Sequence, residues 1–148
     1  MFDVIDRYSN IFLKMDIEGG EFPWLHALST DQLQHFQQIV IEIHGCNDDS
    51  WGASWNDKMD CLKKLSTTHF LVHVHGNNHS GTRSYMIKKE DGSSQEMIIP
   101  DVIELTYVRK SILDELPLNT TVFPIPGLDT PNCPHVADIG LNCLPFVH

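Results

Sequence analysis

The sequence lacks any long apolar run. No segment approaches the roughly 18 consecutive apolar residues of a transmembrane helix, and residues 1–10 carry acids where a signal peptide carries bases. We therefore predict no membrane segment and, by default, a cytoplasmic location. A secretory compartment is the alternative if a signal or anchor precedes the printed residues.

Basic residues are scarce. Ten Lys and Arg residues stand against 20 Asp and Glu residues, which gives a formal net charge of -10. Such a charge repels the phosphates of nucleic acids and anionic lipid surfaces. It therefore argues against nucleic acid and membrane surfaces as partners, and it favours solubility.

Closely spaced cysteine pairs are also missing. The four cysteines, Cys46, Cys61, Cys133 and Cys143, include no C-x-x-C spacing, which disfavours a zinc ribbon or a thioredoxin-like site. We predict reduced structural thiols. A disulfide between Cys133 and Cys143 is the alternative in an oxidising compartment.

The apolar pattern predicts an α/β fold. The 148 residues, 41% of them hydrophobic, suffice for one domain with a buried core. Strands are expected at 11–17, 38–44, 69–75 and 102–110, and a hairpin of 85–89 with 95–99. Helices are expected at 21–28 and 56–66. A further short helix is opened by Ser29 and carries Leu33 and Phe36. Two strand-helix-strand crossovers imply parallel strands, to which the last strand adds antiparallel.

A proline-rich tail follows this pattern. Prolines at 117, 124, 126, 131, 134 and 145 exclude regular structure over most of residues 116–148. We predict a domain of residues 1–115 with the tail packed on its surface as an extended strap.

Polar side chains stand where two predicted strands end. Asp16 and Glu18 end the first strand and His44 ends the second, the edge at which open α/β sheets bind ligands. Asp16 is a candidate to face a cofactor or acceptor, and His44 a candidate general base because imidazole titrates near neutral pH. The alternatives are helix capping by the two acids and a structural hydrogen bond at His44.

Further polar residues end the third predicted strand. His75, Asn77 and Asn78 either hydrogen-bond a substrate or form a turn, which asparagine tolerates well.

Five segments, in order along the chain, resemble FkbM-type S-adenosylmethionine-dependent methyltransferases. They are residues 13–22 (LKMDIEGGEF), 38–44 (QIVIEIH), 74–78 (VHGNN), 100–110 (PDVIELTYVRK) and 128–132 (LDTPN).

This resemblance implies a class I (Rossmann-like) methyltransferase sheet with the strand order 3-2-1-4-5-7-6. The four predicted strands correspond to strands four to seven, so the chain would be the C-terminal half of the domain, in the order 4-5-7-6. The glycine-rich cofactor loop follows strand one in this fold, and no GxGxG-like segment occurs in the sequence. The fragment is therefore not expected to be active alone.

The resemblance also implies function and site residues. We expect O-methyl transfer from S-adenosylmethionine to a small hydroxylated or sugar-like acceptor. Asp16 and His44 would be catalytic, Asp16 and Glu18 would bind the cofactor, and the acceptor would contact Glu18, His75, Asn77 and Asn78.

Two other classes of function remain open. A histidine-based metal site would gather the imidazoles of His44, His73, His75 and His79, although we assign no metal. A noncatalytic interaction module derived from a methyltransferase would self-associate through the exposed edge of the first strand.

Overall fold

The structure is a computed structural model and describes residues 2–46, 48–143 and 146–147. Helices lie between the first three strands of the chain, and three more strands follow without an intervening helix. From the amino terminus they are α1 (Phe2–Ile5), β1 (Ile11–Met15), α2 (Glu21–Ala27), α3 (Thr30–Leu33), β2 (Phe36–His44), α4 (Trp55–Thr68), β3 (His69–Gly76), β4 (Thr82–Lys88), β5 (Ser94–Pro100) and β6 (Val102–Arg109).

The main sheet has four strands in the order β1-β2-β6-β3. β1 and β2 are parallel, while β6 runs antiparallel to both of its neighbours, β2 and β3. β4 and β5 form a separate two-stranded antiparallel sheet. The described residues thus have the mixed α/β fold that the apolar pattern predicts.

Local sequence signals start two of the helices. The Ser29 hydroxyl accepts a hydrogen bond from the amide of Gln32, whose side chain accepts one from the amide of Ser29. Ser54 and Asp57 form the same reciprocal box at the start of α4. Each box satisfies amides that the first helical turn leaves unpaired.

The helices cover one face of the sheet. The connections from β1 to β2 and from β2 to β3 cross the sheet in the same direction, so if both are right-handed they place α2, α3 and α4 on the same side. α4 packs against α2 and α3, in agreement with this arrangement. Beneath them Ile39, Ile41 and Ile43 of β2 have no exposed surface. Full burial of each such side chain contributes about 2 kcal/mol.

The tail lies over the opposite face, next to β3. His73 and His75 alternate with the core residue Val74 and contact acids of the tail, Asp129 and Asp138. Two apolar tail residues, Phe123 and Leu141, pair as an isolated bridge and join the core. The tail is therefore part of the folded domain.

Most predicted elements are present, with three differences. β1 ends at Met15 because the chain turns at Glu18 (φ 53°) and Gly19 (φ 97°). Phe36, predicted in a helix, instead begins β2, because α3 ends at Leu33 after one turn. The helix α1 was not predicted.

The tail contains isolated bridges and turns but no helix or strand among residues 116–143, 146 and 147. Its residues 144, 145 and 148 lie outside the described part of the chain. All four cysteines are free thiols. No helix in the described segments has both the length and the apolar character to cross a bilayer.

Candidate functional site

Three polar side chains meet at the carboxyl ends of β1 and β2. Asp16, Glu18 and His44 each place one ligand-type atom within 4.8 Å of the others. The two strands are parallel neighbours with Met15 opposite Ile41, so the residues that follow them share one edge of the sheet. We call Asp16, Glu18 and His44 the edge cluster.

A buried carboxylate, Glu21, supports the edge cluster from below. Glu21 has no exposed surface, and its two oxygens accept hydrogen bonds from the amides of Ile17 (3.1 Å) and Gly19 (3.0 Å). The same side chain lies 3.2 Å from Nδ1 of His44. Glu21 therefore fixes both the turn that carries Glu18 and the imidazole ring of His44.

The contact with Glu21 sets the orientation of His44. Because Glu21 also accepts hydrogen bonds from two backbone amides, we assign Nδ1 as the donor in this contact, and that tautomer leaves the lone pair of the imidazole on Nε2. His44 is 6% exposed, and its Nε2 lies 3.6 Å from Oε2 of Glu18, beyond hydrogen-bond length. Nε2 is thus directed at the edge cluster and is able to take a proton or bind an ion.

Trp51 forms a wall of the site. Its ring centroid lies 5.2 Å from that of His44, and it also packs against Gly19, where a Cβ would come within 2.8 Å of Trp51 Cε3. Gly19 also has a positive φ of 97°, so both its backbone conformation and the adjacent Trp51 ring favour glycine at this position. Trp51 remains 42% exposed beside the cluster.

A row of carboxylates extends the site along the sheet. Glu42 of β2 lies opposite Glu104 of β6 in the strand register, and Oε1 of Glu42 accepts a 2.8 Å hydrogen bond from Nδ2 of Asn77. Burial raises the pKa of Glu42. The hydrogen bond from Asn77 opposes this rise, while the nearby charges of Asp16 and Glu104 add to it. Asn77 is thereby linked to the edge cluster through Glu42.

His75 and Asn78 are engaged by the tail instead. His75 is 4% exposed, and its Nε2 lies 3.1 Å from Oδ2 of Asp138. The buried Asn78 side chain accepts a hydrogen bond from the amide of Cys133 and donates to the carbonyls of Cys133 and Val136. Substrate binding by these two residues stays a prediction, and both side chains already hold the tail on the domain.

The structure does not assemble the proposed histidine metal site. Nε2 of His73 lies 3.0 Å from Oδ1 of Asp129, and His75 contacts Asp138. Within the described residues, the edge cluster is the one group of three or more His, Cys, Asp or Glu side chains close enough to share an ion. His44 belongs to it, while His73, His75 and His79 do not.

A separate cavity lies away from the edge cluster. It has a volume of about 540 Å³ and lies between β3 and the tail, lined mainly by apolar side chains and including Leu71, His73 and Phe123. None of its lining residues belongs to the edge cluster.

Sequence reasoning missed the supporting residues. Glu21 was interpreted as a helix-starting acid or as a group that orients the acceptor, not as a buried support, and Trp51 was not selected. The tail partners Asp129 and Asp138 lie 56 and 63 residues from their histidines, so no local signal identifies them. The segment Glu18-Gly19-Gly20-Glu21 held the signal for Glu21. An acid directly after two glycines at a strand end is close enough to accept hydrogen bonds from the amides of the turn.

No protein-family model matches the sequence, and neither a curated protein nor a solved structure matches the chain.

Proposed function

We propose that the chain is the C-terminal half of an S-adenosylmethionine-dependent methyltransferase domain that methylates a hydroxyl group of a small, sugar-like acceptor. The observation that carries the proposal is the strand order. β1-β2-β6-β3 has the order of strands 4-5-7-6 that the motif resemblance implies, and β6 alone is reversed, as the strand and helix pattern predicts.

The position of the edge cluster supports the same proposal. Asp16 and His44 follow β1 and β2 at their carboxyl ends, where an open α/β sheet binds its ligand. The helices that follow these strands cover a single face, which leaves this edge accessible to an acceptor.

The residues present fit the methyl end of the cofactor. S-adenosylmethionine supplies an electrophilic methyl group on a positively charged sulfur. Asp16 and Glu18 are exposed carboxylates at the site, and their negative charge complements a sulfonium. The sequence contains no GxGxG segment to bind the methionine part of S-adenosylmethionine. In the proposed domain, residues outside strands four to seven bind that part of the cofactor.

His44 is the base in this proposal. Methyl transfer to an oxygen requires an aligned hydroxyl group and a group that takes its proton. Nε2 of His44 takes the proton from the acceptor hydroxyl. Glu21, 3.2 Å from Nδ1, holds the ring in place and stabilises the imidazolium that forms.

A noncatalytic pairing module is the second candidate. β1 hydrogen-bonds to a single strand, β2, among the described residues. Its residue Phe12 is 61% exposed. An open strand edge with apolar side chains promotes pairing with a second chain, so this candidate predicts self-association through β1.

The test of the methyltransferase proposal begins with the transcript upstream of Met1. An in-frame glycine-rich strand-loop-helix there supports the proposal, and a stop codon directly upstream contradicts it. Isothermal titration of the printed chain with S-adenosylmethionine should give little or no heat.

Activity is then measured on the complete reading frame with radiolabelled methyl donor and a panel of monosaccharides. Asp16→Asn and His44→Gln should each lower transfer by about 100-fold, while His79→Gln, an exposed histidine, should have no effect. Failure of the complete protein to bind the donor would overturn the proposal.

A further inference from the structure

We propose that Asp16, Glu18 and His44 bind one divalent transition-metal ion. The sequence prediction assigned no metal to these residues. The inference is independent of methyl transfer, because it concerns ion binding by this chain alone.

The distances suit a shared ion. One ligand-type atom of each residue lies within 4.8 Å of the other two. Bonds of about 2.0 to 2.2 Å from a common metal place its ligand atoms roughly 3 to 4 Å apart. The 3.6 Å between Oε2 of Glu18 and Nε2 of His44 already falls in this range, and the Glu18 side chain is 75% exposed.

His44 is the observation that separates this group from a patch of surface acids. The side chain is buried and held, with Nδ1 3.2 Å from the fully buried Glu21. Nε2 is directed at Glu18 at 3.6 Å, too far for a hydrogen bond. A histidine whose other ring nitrogen is fixed by a buried carboxylate is the usual supporting arrangement of a metal ligand.

The local charge also favours a cation. Asp16 and Glu18 stand beside Glu21 and Glu42 at one sheet edge. Among the described residues, the ion pairs made by Lys and Arg involve Asp60 and Asp48, and neither reaches the edge cluster. A bound divalent ion would neutralise the negative charge of Asp16 and Glu18, which none of these Lys and Arg ion pairs reaches.

The ligand set narrows the choice of ion. Imidazole suits zinc, iron and copper, whereas carboxylate suits manganese and magnesium, so the mixed set favours Mn²⁺, Fe²⁺ or Zn²⁺. Ca²⁺ prefers six to eight oxygen ligands. Three protein ligands leave coordination positions open for water or an acceptor oxygen. While the ion is bound, Nε2 of His44 is a ligand and does not act as a base.

The test uses tag-free, chelator-treated protein titrated with Mn²⁺ and, separately, with Zn²⁺. Isothermal titration should show saturable binding at a molar ratio of one. Asp16→Asn and Glu18→Gln should each weaken binding at least tenfold, and Glu21→Gln should weaken it by roughly 10- to 100-fold through loss of ring positioning.

Matched controls are Asp60→Asn and His79→Gln, two exposed residues outside the cluster, which should bind with unchanged affinity. Glu18→Gln alters an exposed side chain and retains the fold, so the test does not depend on the buried His44. Absence of saturable binding at millimolar ion, or equal affinity in Asp16→Asn, Glu18→Gln and the unaltered protein, would overturn the site. No methyl donor or acceptor is present, so the result is separate from the methyltransferase test.

Discussion

Nδ1 of His44 lies 3.2 Å from Oε1 of Glu21, and both side chains are buried. The first residue ends β2 and the second begins α2. Because Glu21 also accepts the amides of Ile17 and Gly19, a single carboxylate joins a strand end, a turn and a helix. Stability and site geometry therefore depend on the same group.

The first prediction concerns Glu21 itself. Glu21→Ala should lower the free energy of unfolding by about 3 kcal/mol, because two turn amides and Nδ1 of His44 lose their acceptor. Urea denaturation measures the loss, with the exposed Glu90→Ala as the control. Equal stability of the two variants would show that water replaces the carboxylate.

A second prediction concerns Lys58, a fully buried lysine on α4. Its Nζ donates to the carbonyls of Gly45 (2.5 Å), Asp48 (2.8 Å) and Ser50 (2.7 Å). Lys58→Met keeps the apolar stem and removes the donor, so unfolding should become easier by about 4 kcal/mol. Lys63→Met, at a side chain that is 77% exposed, is the matched control and should change the same urea midpoint very little.

A third prediction concerns attachment of the tail. Asn78 makes three hydrogen bonds of 2.8 to 3.0 Å to Cys133 and Val136. Asn78→Ala should expose residues 116–143 to limited proteolysis and speed their amide exchange, and should cost about 2 kcal/mol. Asn56→Ala, on the exposed side of α4, should leave the cleavage pattern unchanged. A tail that stays protected in Asn78→Ala would show that its remaining contacts, the two His-Asp contacts and the buried Phe123 and Leu141, suffice to hold it.

A fourth prediction concerns pH and His69. Burial lowers the pKa of His69 below its ordinary value of 6.5, the charge of Arg109 lowers it further, and the Phe36 carbonyl that accepts from Nε2 opposes the shift. Below about pH 6.5 the unfolded chain therefore binds a proton that the folded chain does not. The contribution of neutral His69 is complete above that pH and is lost as the pH falls through the folded pKa.

The measurement compares urea unfolding of the unaltered protein and His69→Gln from about pH 7.5 to about pH 5.5. The stability advantage of the unaltered protein should shrink on acidification, with a slope of at most about 1.4 kcal/mol per pH unit for one proton. A difference that stays constant over this range would show that His69 does not titrate differently in the two states.

A fifth prediction concerns the β1 edge. If the second candidate function holds, Phe12→Lys should reduce concentration-dependent association measured by light scattering, because it replaces an exposed apolar side chain with a charge. Met86→Lys changes a similarly exposed residue on the hairpin and should have no effect. A monomer at every concentration before any substitution would remove this candidate.

The sequence predicted the elements that depend on local patterns. The capping box at Ser29 and Gln32 is present as expected, because its signal is complete within four residues. The nearly continuous apolar run of Ile39, Val40, Ile41 and Ile43 indicated a buried strand, and its three isoleucines have no exposed surface. Phe36 was assigned to the wrong element. It lies three residues after Leu33, which fits a helix, but an apolar residue at this place also fits the start of a buried strand, and a short apolar run does not distinguish the two.

The candidate site was predicted only in part. Asp16 and His44 were expected at two strand ends, and the structure brings them together because the two strands are parallel neighbours. Whether Glu21 is buried, however, depends on how α2 packs against β2, which no local pattern specifies. The engagement of His75 and Asn78 depends on a tail whose path has no periodicity.

The attachment of the tail affects how fast the chain folds. Its polar contacts to β3 and the following loop join residues 55 to 63 positions apart. The pairing of β3 with β6 places His73 and His75 where Asp129 and Asp138 of the tail contact them. Loop closure over such separations slows folding, so we expect docking of the tail to be slow, as is the pairing of β2 with β6, whose partners are similarly far apart in the chain.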